Sequence, residues 1–135
     1  MKQQVILSDE NCSGQAEAIF AILEQLGFRE LLNLELLTFE AGVLVKGTGD
    51  EQIWRFCQEN HYLLLTGNRT TKARSKSLEF AIRYLVTSTS LPVLTIGNLK
   101  RVLRDRDYCG RCAERLADIV FDLERHYGIP RVFLP

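Results

Sequence analysis

The chain has no apolar run approaching the roughly 20 residues that a membrane-spanning helix needs. It also has no excess of charge, since seventeen Lys and Arg balance seventeen Asp and Glu. Global charge therefore gives no pointer to a nucleic-acid partner, and any attraction to phosphate must come from local clustering. A secretory leader is not expected either. Val5-Ile6-Leu7 is too short for the apolar core of one, and Asp9-Glu10 follow at once. The expected location is the cytoplasm, with no membrane partner. There the four cysteines, Cys12, Cys57, Cys109 and Cys112, are expected as reduced thiols. No linker, internal repeat or low-complexity tract divides the sequence. Its 135 residues fit one domain with one core, spanning 1–135.

Hydrophobic residues at 46% and charged ones at 25% place the chain among ordinary globular proteins. Val5-Ile6-Leu7 reads as a short central strand buried on both faces. Ser13 is a plausible helix N-cap. Ala16, Ile19, Phe20, Leu23 and Leu26 then repeat at helical spacing, and Gly27 supplies a stop. Asp9, Glu10 and Asn11 thus lie in a strand-to-helix turn. The leucines from Leu31 to Leu37 fit neither period cleanly, and a strand is expected within 31–38. After the Gly47-Thr48-Gly49 loop, a helix is expected from Asp50 to about Asn60, burying Ile53, Trp54 and Cys57.

A buried strand over 61–66 ends in the turn signal Gly67-Asn68. A helix over about 77–87 buries Leu78, Ala81, Ile82 and Leu85. Pro92 opens the strand Val93–Ile96, a tolerated place for proline. Asn98 caps a short helix through about Arg104. A longer helix is expected from about Arg111 to Tyr127, with Leu116, Ile119, Val120 and Leu123 inward and Gly128 at its end. Arg131–Leu134 forms a last strand. Strands alternating with helices imply an α/β fold of three layers, a mostly parallel central sheet flanked by helices.

In open parallel sheets, sites form outside the carboxyl ends of strands. Three polar features fall at or near that rim: Asp9-Glu10-Asn11, Asp50-Glu51 and Thr66-Gly67-Asn68. Carboxylates brought close repel one another, and a hard divalent cation relieves the repulsion. Mg²⁺ or Mn²⁺ held this way polarises a phosphoryl oxygen and lowers the pKa of a bound water, which suits phosphodiester cleavage. The plainer reading of the same residues is structural, with Asp9 as a cap and Asp50 as a helix-dipole partner.

Three motifs in order, Val5-Ile6-Leu7-Ser8-Asp9-Glu10-Asn11, Gly49-Asp50-Glu51-Gln52-Ile53 and Leu63-Leu64-Leu65-Thr66-Gly67-Asn68, resemble the short PIN-like domain family over about the first half of the chain. Many of its small members are described as toxin-like ribonucleases of toxin–antitoxin pairs. The resemblance implies a PIN-like fold and a Mg²⁺- or Mn²⁺-dependent endoribonuclease. Its catalytic residues would be Asp9, Asp50 and Glu51, and its metal ligands Asp9, Glu10, Asp50 and Asn68. It also implies RNA as substrate and a small antitoxin protein as partner; a homodimer is a further expectation. Asn68 departs from the family pattern, which has an aspartate there. An amide carbonyl can ligate a hard cation but brings no negative charge. The alternative is therefore a catalytically impaired PIN-like protein that binds RNA or a protein.

The loop after Asn68 carries Arg69, Lys72, Arg74 and Lys76 without an acid among them. These cations either hold RNA phosphates at the rim or form a solvated loop. Lys100, Arg101, Arg104 and Arg106 make a second basic segment, diluted by Asp105 and Asp107, and read as a solvated helix face. Cys109-Gly110-Arg111-Cys112 is a Cys-x-x-Cys expected between helices. A zinc site would need about two more ligands, so the expected role is structural. A redox or zinc function is the alternative. Trp54 and Cys57 read as packing, and His61 as a surface turn. Glu40 and Glu79 are spare acids.

Overall fold

The computed structural model describes residues 2–38, 49–67, 78 and 82–135. Five strands form one sheet: β1 (Gln4–Ser8), β2 (Leu34–Leu37), β3 (Leu63–Gly67), β4 (Val93–Ile96) and β5 (Arg131–Leu134). Their order across the sheet is β2-β1-β3-β4-β5, and every pairing is parallel. The helices are α1 (Ser13–Gln25), α2 (Phe28–Leu31), α3 (Asp50–Asn60), α4 (Leu99–Arg104) and α5 (Arg106–Phe121). Residue 78 and residues 82–84 are also helical. Among the described residues no helix is long and apolar enough to cross a membrane.

Strand alternation divides the apolar residues between two cores. Ile6, Leu63, Leu65, Leu94, Ile96, Val132 and Leu134 pack with α1 and α5 on one face. Leu7, Leu64 and Val93 pack with Ile53, Trp54, Cys57, Leu78 and Ile82 on the other. These strands are apolar at successive positions because helices cover both sides, which is what a parallel sheet requires. The result is the expected three-layer α/β architecture.

The crossovers differ in hand. From β3 to β4 and from β4 to β5 the chain steps the same way across the sheet. Residues 78 and 82 lie on the α3 face, whereas α5 lies on the α1 face. Two steps in one direction over opposite faces have opposite hands. The last crossover thus differs from the others, against the strong preference for one hand. On the α3 face of β5, Phe133 is 48% exposed.

Several elements depart from the sequence expectations. The last long helix begins at Arg106 rather than near Arg111, because Asp105 caps it by accepting the Asp107 and Tyr108 N–H groups. Cys109 and Cys112 therefore lie inside α5, not between helices. That helix ends at Phe121, and a 3₁₀ turn over Leu123–His126 follows. Leu26, expected inward, is 50% exposed, because α1 ends at Gln25 and Gly27 turns the chain through a left-handed φ of 79°. Ser13 is the first residue of α1, and Cys12 stands at its N-cap. Ala81, the Gly47-Thr48 part of the loop before α3, Glu40 and Glu79 lie outside the described residues.

Candidate functional site

The strand order reverses direction between β1 and β3, the switch point where α/β sheets open a crevice at their carboxyl rim. Asp9 stands there, directly after β1, and is 2% exposed. Its backbone is pinned from several sides. The Asp9 N–H donates to the Leu65 carbonyl at 2.9 Å, extending the ladder with β3. The Asp9 carbonyl accepts the Cys12 N–H at 3.1 Å and the Ser8 hydroxyl at 3.0 Å. The Cys12 thiol lies 3.4 Å from the Leu65 carbonyl and 3.5 Å from Ser8 Oγ. Ser8 and Cys12 are both buried, so this knot fixes where Asp9 leaves the strand. Asp9 retains extended geometry, with φ −58° and ψ 149°. The two-residue period that sends Leu7 to the α3 face sends Asp9 there too.

Helix α3 opens on the same rim. Its C-terminal end is at the amino edge of the sheet, where the His61 carbonyl accepts Gln4 Nε2 at 3.1 Å. Eleven helical residues rise about 16 Å, which returns the backbone of Asp50 to the carboxyl side. Glu51, in the first turn, holds Arg55 at 3.2 Å along the helix surface. Glu10 is half-buried in the 3₁₀ turn Glu10–Cys12. Thr66 and Thr95 place buried hydroxyls 3.4 Å apart on the α3 face, one step below the rim. The side chain of Asp50, and all of Asn68, Arg69, Lys72, Arg74 and Lys76, lie outside the described residues. Among the described residues no group of three or more His, Cys, Asp or Glu comes together as a metal cluster. Asp9 and the start of α3 are therefore brought to one rim, and Glu51 is tied to its own helix.

The rim continues past β4. Asn98 caps α4 by accepting the Arg101 N–H at 3.1 Å. Leu99 packs against Gly67, where an added Cβ would push the Leu99 side chain aside. Gln15 Nε2 donates to the Leu99 carbonyl at 3.4 Å, joining the first turns of α1 and α4. The Tyr108 hydroxyl accepts the Asn98 N–H at 3.0 Å and reaches the Leu134 carbonyl at 3.4 Å. Tyr108 thus belongs to the rim, a place it owes to the Asp105 cap that starts α5 five residues earlier than the sequence pattern implies.

All four cysteines are free and buried. Burial pushes the Cys57 and Cys112 thiols up to about 12, with the neighbouring Cys109 adding to the effect at Cys112. Burial also raises Cys109. Cys109 and Cys112 belong to the core between α5 and the sheet. Neutral thiols are poor metal ligands and poor nucleophiles.

Compared with models of known protein families, with curated proteins and with solved structures, the chain matches none.

Proposed function

We propose that the chain is a PIN-like, Mg²⁺- or Mn²⁺-dependent endoribonuclease whose site is the carboxyl rim between β1 and β3. One observation carries this reading: a buried carboxylate, Asp9, is held at the strand-order switch point on the face where α3 begins. A hard oxygen donor at that place suits a hard cation. Asp9 would hold the ion, together with Asp50 and the amide carbonyl of Asn68. When bound, the ion supplies charge neutralisation at phosphate and a water of lowered pKa. The Ser8–Cys12 knot keeps the Asp9 backbone from moving as the site binds. Thr66 and Thr95 offer hydroxyls beneath it. Glu10, half-buried beside Asp9, would be a further oxygen donor, and Glu51 would have to leave Arg55 to take part. A small antitoxin partner follows from the family resemblance, the cytoplasmic location from the sequence lacking a leader-like apolar core, and a homodimer completes the reading.

The test is cleavage of a single-stranded RNA in Mn²⁺, read against Asp9→Asn. The wild-type chain should cut and lose activity on chelation. Asp9→Asn should lose at least a hundredfold while keeping the fold, checked by an unchanged far-ultraviolet circular dichroism spectrum. A wild-type chain that neither cuts RNA nor binds Mn²⁺ by calorimetry would sink the proposal. Asn68 favours a second reading, a chain that binds RNA or a protein without cutting it. Under that reading Asn68→Asp creates activity in a silent wild type. No gain in that variant counts against it.

A further inference from the structure

We infer that Lys100, Arg101 and Arg111 form a strip on the carboxyl rim that binds the phosphodiester backbone of a single-stranded nucleic acid. That the strand is RNA rests on the function proposed above. The geometry of the strip does not.

Residues 99–111 carry five cations against two carboxylates, Asp105 and Asp107. In the sequence these acids dilute the segment, but the fold removes one of them from the surface balance. Asp105 turns one oxygen to the Asp107 and Tyr108 N–H groups at 3.0 and 3.2 Å. Its other oxygen takes Arg101 Nε at 3.0 Å. Those backbone and guanidinium partners hold its carboxyl below the usual range. Arg101 is thereby anchored through Nε alone. Its two terminal nitrogens make no hydrogen bond to another described residue, and their forked edge suits a phosphate.

Tyr108 orders the cations. The Arg101 guanidinium lies 4.8 Å from its ring centroid and that of Arg111 lies 5.6 Å away. Two like charges converge on one ring, an arrangement that a bound anion relieves. The ring itself is buried, so it serves as the support for the guanidiniums and not as a platform for a base. Lys100 is exposed on the first turn of α4, beside exposed Asn98 and Gly97.

The strip lies on the same carboxyl rim as the Asp9 site. Leu99 touches Gly67 at the end of β3, and β3 is the strand bonded to β1. β1 and β4 are two strand spacings apart, about 10 Å. The strip and Asp9 thus share the carboxyl rim, with α4 packed on the α1 face and Asp9 turned to the α3 face.

Binding of a fluorescent oligouridine, followed by anisotropy in EDTA over a salt series, tests this. Chelation keeps cleavage and metal out of the measurement. The wild-type chain should bind with a salt slope of about −0.7 per phosphate contact. Lys100→Gln/Arg111→Gln should weaken binding several-fold and make the slope shallower by about 1.4. Arg125→Gln, at the opposite edge of the sheet, should change neither, and Asp9→Asn should still bind. Both Gln positions are exposed, and unchanged melting checks the fold. No binding by the wild type, an unchanged double variant or an equal loss in Arg125→Gln overturns the strip. Tighter binding of oligothymidine reassigns the strand to DNA and overturns RNA as its ligand. Cleavage in Mn²⁺ without strip dependence sinks this inference alone. Strip binding without cleavage sinks only the nuclease reading.

Discussion

Cys57 and Cys112 show what burial does to one side chain. Each is closed off from solvent, and each thiol is pushed up to about 12. A raised folded value means the fold favours the protonated form. The unfolded chain releases these protons near pH 9, so stability is full below that pH and falls as pH rises toward 12. Melting temperature should therefore drop above pH 9, and the drop should shrink in Cys57→Ala, measured relative to that variant's own value at pH 7. Alkylation at pH 8 should be slow in the native protein and should reach four thiols only in denaturant. Rapid native labelling of Cys109 and Cys112 would restore the redox alternative.

At the scale of elements, caps decide where helices start. The Asn98 side chain receives the Arg101 N–H. Asn98→Ala should cost about 1 kcal/mol by denaturant titration. A cost near zero would mean that α4 is held by Leu99 and Val102 alone. Asn98 was legible in the sequence because it stands directly before an apolar pattern with no competing signal. The span Asp50–Asn60 was legible for a related reason: Gly49 precedes it, and Ile53, Trp54 and Cys57 mark one face. Asp105 was not legible. Arg104, Arg106 and Asp107 surround it, and the apolar positions of the first turns of α5 are Tyr108, Cys109 and Cys112, which read as a motif and not as a core face. The basic segment was misweighted by the same omission, since the sequence does not show that Asp105 is spent on a cap.

Across the whole molecule, strand position sets exposure to opening. β1, β3 and β4 are paired on both sides, whereas β2 and β5 are edges. On one face of β5 the half-exposed Phe133 ring lies against Arg131. Hydrogen exchange should be slowest in β1, β3 and β4, and faster in β2 and β5 by mass spectrometry of native peptides. Equal protection in β5 would show that its edge does not open ahead of the central strands. The three-layer class was readable because alternation of strands and helices permits few other solutions. Strand order and the odd final crossover were not, because β2 and β3 carry similar leucine runs and nothing local says which side of β1 each takes. The site was readable as to location, through Asp9 at the end of a first strand. Its composition was less so, because a carboxylate set is assembled by tertiary structure.

The last crossover has a consequence for synthesis. Helix α1, residues 13–25, packs on α5, residues 106–121, across the face that holds Ile6, Leu63 and Leu94. A ribosome delivers the first of these partners some ninety residues before the second. Until α5 emerges, that side of the nascent sheet lacks its second long helix and presents leucine and isoleucine to solvent. The chain is thus most dependent on chaperones late in translation, when most of its sheet exists and its lid does not.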